Sequence, residues 1–265
     1  MTFILKDSNN YNYDFDKSLE TSIQNISTND AIKNINNKEE KAKEEINWQP
    51  IIEKYRGKEI TKIETDKKII ALTFDAGANA DGVEKTLEIL EKENIKGTFF
   101  LTGKFIEKYP DKVQMIINSE GDLGNHSYSH PHFTQISDSE IVNELEKTEK
   151  AMEKFDLKLK PFFRFPYGDR NGESRKVINN KNYIDIRWTI DSLGWKGTSG
   201  GITKESIENR VISKTSSGAI IMMHLGSNPD DKSHLDSDAL PEIIKKLKEQ
   251  GYEFVTLMEL FNLED

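Results

Sequence analysis

The sequence predicts an α/β fold in which a parallel sheet with crossover helices curls into a barrel or near-barrel. Three observations carry this. Seven short β-rich runs follow one another beyond Ile60, most of them apolar at every position, as in strands covered on both faces. Helical patterns fill the gaps between them, and such alternation implies parallel pairing through right-handed crossovers. No GxGxxG or Walker pattern marks a nucleotide loop, so an open dinucleotide-binding sheet is the poorer fit.

Taken in order, residues 1 to about 37 are rich in Asn, Ser, Asp and Lys and are expected to form a flexible leader. KEEKAKEEINWQPIIEKYRG, from Lys38 to Gly57, reads as a charged helix broken at Pro50 and stopped by Gly57, its charges a solvated face. The division expected is therefore leader and helix over 1–58 and barrel over 59–265. The strand runs are IIALTF (69–74), GTFFLT (97–102), GDLGN (121–125), PFFRF (161–165), YIDIRWTI (183–190), GAIIMM (218–223) and YEFVTL (252–257). Between them, Val83, Leu87 and Leu90 recur at helical spacing. Ser137 and Glu140 make a capping box ahead of Ile141, Leu145, Met152 and Phe155, and Ile243, Ile244 and Leu247 precede a helix stop at Gly251.

Composition narrows the function. The 265 residues carry a formal charge of -9, against the basic faces that nucleic acid requires, and no apolar run approaches a membrane span. Cysteine is absent, which removes disulfides, thiolate nucleophiles and Cys-based metal sites, so any metal must use His, carboxylate or amide oxygen. MTFILKDSNN has no basic end followed by an apolar stretch, so the expectation is either retention inside the cell or a trimmed exported protein. A monomer is expected.

In a barrel of this type the active face lies at the carboxyl ends of the strands. The polar residues just past the runs are Asp75; Thr102 with Gly103; His126 with His130; Arg164 with Pro166 and Tyr167; Asp191 with Trp195; and His224. Five strands thus aim a titratable group at one face. HSYSH spaces His126 and His130 so that a helical turn would bring both imidazoles to one side, as metal chelation requires; His132, behind Pro131, is a bystander in this reading. His224 follows the core run IIMM and should be partly buried and rigid, either at a site or as a hydrogen-bonded core residue. Asp75 is a site carboxylate or an N-cap, although Gly82 is the better-placed helix start. Arg164, in FFRFPYG, needs a buried carboxylate partner, Asp75 or Asp191. Trp195, in LGWKG, is core or a pocket wall.

TFDAG, HSYSH, RFPYG, DSLGW and MMHLG, in this order, resemble the five motifs of the polysaccharide deacetylases (carbohydrate esterase family 4, with the NodB-like homology domain), over about residues 67–262. The resemblance implies a distorted (β/α)7 barrel and metal-assisted removal of N- or O-acetyl groups from glycans such as peptidoglycan or chitin-like oligomers, with a divalent ion, zinc by preference, as cofactor. Peptidoglycan would place an exported form outside the cell or at its wall. By position, Asp75 resembles the base, His126 and His130 the metal ligands, and His224 the general acid. Arg164 would orient Asp75, and Asp191 would set the orientation and pKa of His224. Tyr167, after Pro166, would offer its N–H to the oxyanion, and Trp195 would shape the acetyl pocket. Ala76 departs from the motif, where a second Asp completes the metal triad. The third ligand then falls to Asp75, Asn79, Asp81 or water, or the chain is a glycan-binding barrel with impaired catalysis.

Overall fold

The computed structural model describes residues 48–262. The leader (1 to about 37) and the first part of the charged helix lie outside these residues. Nine strands form one sheet: β1 (Glu59–Ile60), β2 (Ile69–Ala76), β3 (Thr98–Leu101), β4 (Asp122–Asn125), β5 (Phe162–Phe163), β6 (Ile184–Ile186), β7 (Ile190–Asp191), β8 (Ile220–His224) and β9 (Glu253–Val255). The order is β1-β6-β5-β4-β3-β2-β8-β7, all parallel, with β9 pairing the first residues of β2.

Two departures from the expected seven strands explain the distortion. The run 183–190 is not one strand: Arg187 N bonds to Ile60 O, and Thr189 N bonds to Ile220 O. The chain changes neighbours in between, so β6 lies beside β1 and β5 while β7 lies beside β8. One bent segment thereby serves both ends of the sheet and curls it. The second departure is β1, too short for a periodic signal.

Alternation along β2 sorts its side chains. Ile70, Leu72, Phe74 and Ala76 join a core with the helices Val83–Lys92, Lys204–Lys214 and Leu235–Glu249. Ile69 and Ala71 face a second core with Phe100, Phe162, Ile184 and Ile220. That second core also holds Ile52 and Tyr55 of the helix Gln49–Tyr55. Pro50 sits in the first turn of this helix, where its missing N–H costs nothing; the segment before Trp48, on which the expected break depends, lies outside the described residues. The helix packs on the barrel, with Trp48 edge-on to Phe162 at 5.7 Å and Tyr55 edge-on to Phe261 at 5.2 Å. The boundary expected at 58/59 thus cuts through one compact unit, which runs from Trp48. The Ser137–Glu140 capping box forms as expected, Gly82 rather than Asp75 precedes the helix Val83–Lys92, and Gly251 takes φ +84° past the helix Leu235–Glu249.

Candidate active site

Asp75, near the end of β2, points opposite to Phe74 and Ala76, towards the inside of the curled sheet, and is only 6% exposed. Its partner is Arg164, just past β5 and fully buried, whose Nη1 donates to Asp75 Oδ1 at 2.6 Å. The guanidinium also donates to Ile186 O and Arg187 O, and lies over the Phe100 ring at 4.0 Å. Burial by itself would raise the Asp75 pKa, but Arg164, His126 and His224 outweigh it and hold the carboxyl below its ordinary value.

The two histidines follow β4, but not on a helical turn. Residues 126–130 form a loop with Ser127 and His130 at φ +65° and +64°. Asn125 Oδ1 accepts from Ser127 N, and Ser127 Oγ accepts from His130 N. Glu144, on the helix Asp138–Met152, accepts from the backbone N–H groups of Tyr128 and Ser129 and from the Ser129 hydroxyl. This clamp, not helical periodicity, brings the rings to 4.9 Å between centroids. His126 Nδ1 is 2.8 Å from Arg164 O; since a carbonyl only accepts, Nδ1 carries the proton and Nε2 is left with its lone pair, 3.6 Å from Asp75 Oδ2. Burial lowers the pKa of both histidines, that of His130 to about 3 with His126 adding to the effect. Two neutral imidazoles, one with its tautomer set from behind, are suited to a divalent ion.

The third ligand has no obvious source. Ala76 belongs to the core on the far side of β2. Asn79 is committed: its Oδ1 accepts from Ser227 N and its Nδ2 donates to Ser227 O. Asp81 accepts from the Ser227 hydroxyl. These two side chains staple the loop after β2 to the loop after β8. No group of three His, Cys, Asp or Glu residues suited to a metal occurs among the described residues. What the described residues could offer an ion is the imidazole pair His126 and His130.

Around these groups, Pro166 is buried and opens the turn Pro166–Gly168; Tyr167 follows at φ +58° and is 63% exposed. That ring meets His130 edge-on at 4.4 Å and stacks on His132 at 4.2 Å. His132, set aside in the sequence, thus backs Tyr167, and its Nδ1 is 3.4 Å from Asp169. Asp191 Oδ1 accepts from Leu193 N and its Oδ2 from Trp195 Nε1, which leaves the half-exposed Trp195 ring at the edge of the site. Thr102 caps the helix Gly103–Lys108, and Gly103 N donates to Ser127 O, so both are structural. His224 ends β8, in register with Asp75, and its ring is 26% exposed. The carboxylate nearest its ring is not Asp191 but Asp236, whose Oδ2 accepts from His224 N at 2.8 Å and lies 3.6 Å from Nδ1.

Residues 62–184 match the family model for polysaccharide deacetylase. A peptidoglycan-N-acetylglucosamine deacetylase of Bacillus cereus is 35% identical over 196 residues, 74% of this chain and 69% of the relative. This chain belongs to the polysaccharide deacetylase family. Polysaccharide deacetylases are hydrolases, and their solved structures share the fold. The peptidoglycan N-acetylglucosamine deacetylase Bc1960, in complex with a hydroxamate-type benzamide, superposes with a TM-score of 0.72 at 33% identity over 82% of this chain and 96% of that one. BA3943 of Bacillus anthracis, a pseudoenzyme of the same carbohydrate esterase family, superposes at 0.68 with 32% identity over 76% and 68%. The chain spans 45% and 41% of two further curated polysaccharide deacetylases. No helix among the described residues is long and apolar enough to cross a membrane.

Proposed function

We propose that this protein is a metal-dependent deacetylase that removes N-acetyl groups from peptidoglycan glycan strands. The observation that carries the reading is the Asp75 carboxylate, held ionised by Arg164 and facing the free Nε2 of His126 at 3.6 Å, with His224 on the adjoining strand. The names of the similar proteins support peptidoglycan as the substrate. A wall glycan would put the site of action outside the membrane.

An N-acetyl group is an unactivated amide, and its hydrolysis needs a strong nucleophile at neutral pH. His126 and His130 would hold a divalent ion, zinc being suited to neutral imidazole, and such an ion when bound acidifies water and polarises the carbonyl. Asp75 takes the proton from the attacking water, and Arg164 keeps it ionised to do so. The Tyr167 N–H donates to the oxyanion of the tetrahedral intermediate, and Trp195 flanks the acetyl methyl. As the C–N bond breaks, its electron pair stays on nitrogen. That nitrogen takes a proton from His224, leaving acetate and a free amine.

The test is acetate release from purified peptidoglycan by protein loaded with zinc, with chitin oligomers and acetylated xylan as rival substrates. Peptidoglycan should be turned over fastest. Asp75→Asn and the double variant His126→Ala/His130→Ala should each lower the rate at least about a hundredfold. Zinc binding without acetate release from any of the three would point instead to a glycan-binding barrel.

A further inference from the structure

Asp236 is the residue that the five motifs do not include and that the site nevertheless contains. It lies in the first turn of the helix Leu235–Glu249 and is 5% exposed. Its Oδ2 accepts from the backbone N–H of His224 at 2.8 Å and stands 3.6 Å from Nδ1 of the same residue. That separation is just longer than a hydrogen bond. His224 Nδ1 and Asp236 Oδ1 are both buried and both without a hydrogen-bond partner, among only four such side-chain atoms in the described residues. Two adjacent groups, one able to donate and one able only to accept, are each missing what the other offers.

Asp191 does not compete for that place. Its carboxylate accepts from Leu193 N and Trp195 Nε1, and its carbonyl accepts from Arg210 Nε. The loop it organises instead makes room for Asp236. A Cβ on Gly194 would come within 2.3 Å of Asp236 Oδ1, so the glycine of DSLGW is what permits the carboxylate to lie there.

We propose that Asp236 is the positioning residue of His224: it binds the Nδ1–H, fixes the ring so that Nε2 faces the reacting atoms, and keeps the imidazole protonated until the amine leaves. The assignment rests on the deacetylase reading for its consequence in catalysis, but not for the contact itself. Three carboxylates face His224, namely Asp75 from β2, Asp191 from β7 and Asp236, while His126 and His130 lie across the site. Burial works against the charged ring, yet the Asp236 contact and the charges of Asp75, Asp236 and Asp191 outweigh it and raise its pKa.

An acid whose pKa is raised stays protonated to higher pH, so removing Asp236 should move the alkaline limb of the rate profile to lower pH. Asp236→Asn keeps one acceptor oxygen for His224 N, loses the charge and turns the other oxygen into an NH2 donor. Followed by NMR of histidine-labelled protein, the His224 titration midpoint should fall by about one pH unit or more, against a smaller fall in Asp191→Asn. The alkaline limb of acetate release should move with it, with kcat down about tenfold and KM within about twofold. Gly194→Ala, which would displace the Asp236 carboxylate by its methyl, should lower the midpoint in the same direction and serves if Asp236→Asn does not fold. An unchanged midpoint in Asp236→Asn, or a larger shift in Asp191→Asn, would overturn the assignment. If the wild-type protein releases no acetate while the midpoint still falls in Asp236→Asn, the contact stands and the deacetylase reading falls.

Discussion

Arg164 sits where a cation is most expensive, fully buried between Phe100 and the strand ends, and is stable there only because Asp75 and two carbonyls take up its donors. Removing one member of such a pair costs more than the pair is worth, because the other charge is stranded. Arg164→Met is expected to lose about 3–5 kcal/mol of stability, while Asp75→Asn/Arg164→Met loses less than the sum of the single variants. Urea melts of the four proteins check this, and additive losses would show that the two groups do not depend on each other. The need of Arg164 for a buried carboxylate was legible in FFRFPYG, since an apolar run leaves a charge nowhere else to go. Asp236 was not legible. Twelve residues beyond His224, in HLDSD, it looks like any acid placed in the first turn of a helix to meet the dipole. Asn79 and Asp81 show the reverse error: candidates for metal by position, they are spent on Ser227.

At the scale of elements, strands with strong apolar runs were readable and short or bent ones were not. β1 has two residues, and the run 183–190 holds one hydrophobic pattern while its backbone changes partners at Arg187–Thr189. The HSYSH loop was found for a reason that does not apply, because spacing reports proximity and not the backbone that achieves it. Two residues at positive φ and the Glu144 clamp achieve it here. The helix Gln49–Tyr55 was misplaced by its charges: a solvated face and a buried edge coexist, with Ile52 at 5% and Tyr55 at 9% exposure. Gly57 N also donates to Asn179. A chain beginning at Trp48 keeps these contacts and is expected to melt within about 2 °C of the full chain. One beginning at Glu59 gives up two buried side chains worth about 1.5–3 kcal/mol each, and should lose roughly 3–6 kcal/mol. Calorimetric melting of both truncations decides it; equal melting points would mean that the helix adds nothing to the barrel.

For the molecule as a whole, the decisive position is Ala76, where the chain leaves its family's motif. The curled sheet places Asp75 on the inner face and Ala76 on the face shared with Phe74 and Leu101, fully buried. A carboxylate at 76 therefore starts in an apolar core, and without a partner it would cost about 3–5 kcal/mol. It recovers that cost only by turning around the strand end to an ion shared with His126 and His130. Binding to the folded state alone stabilises it in proportion to the logarithm of ligand concentration over Kd, so the two terms separate experimentally. Ala76→Asp is expected to melt below the wild type in chelator and to gain more on adding zinc, with calorimetry giving a Kd at least about tenfold tighter. The double variant His126→Ala/His130→Ala, built on Ala76→Asp, should lose the zinc gain and keep the chelator deficit. A zinc response no larger in Ala76→Asp than in wild type would mean that the carboxylate stays in the core, and that two histidines are all this barrel offers at the position.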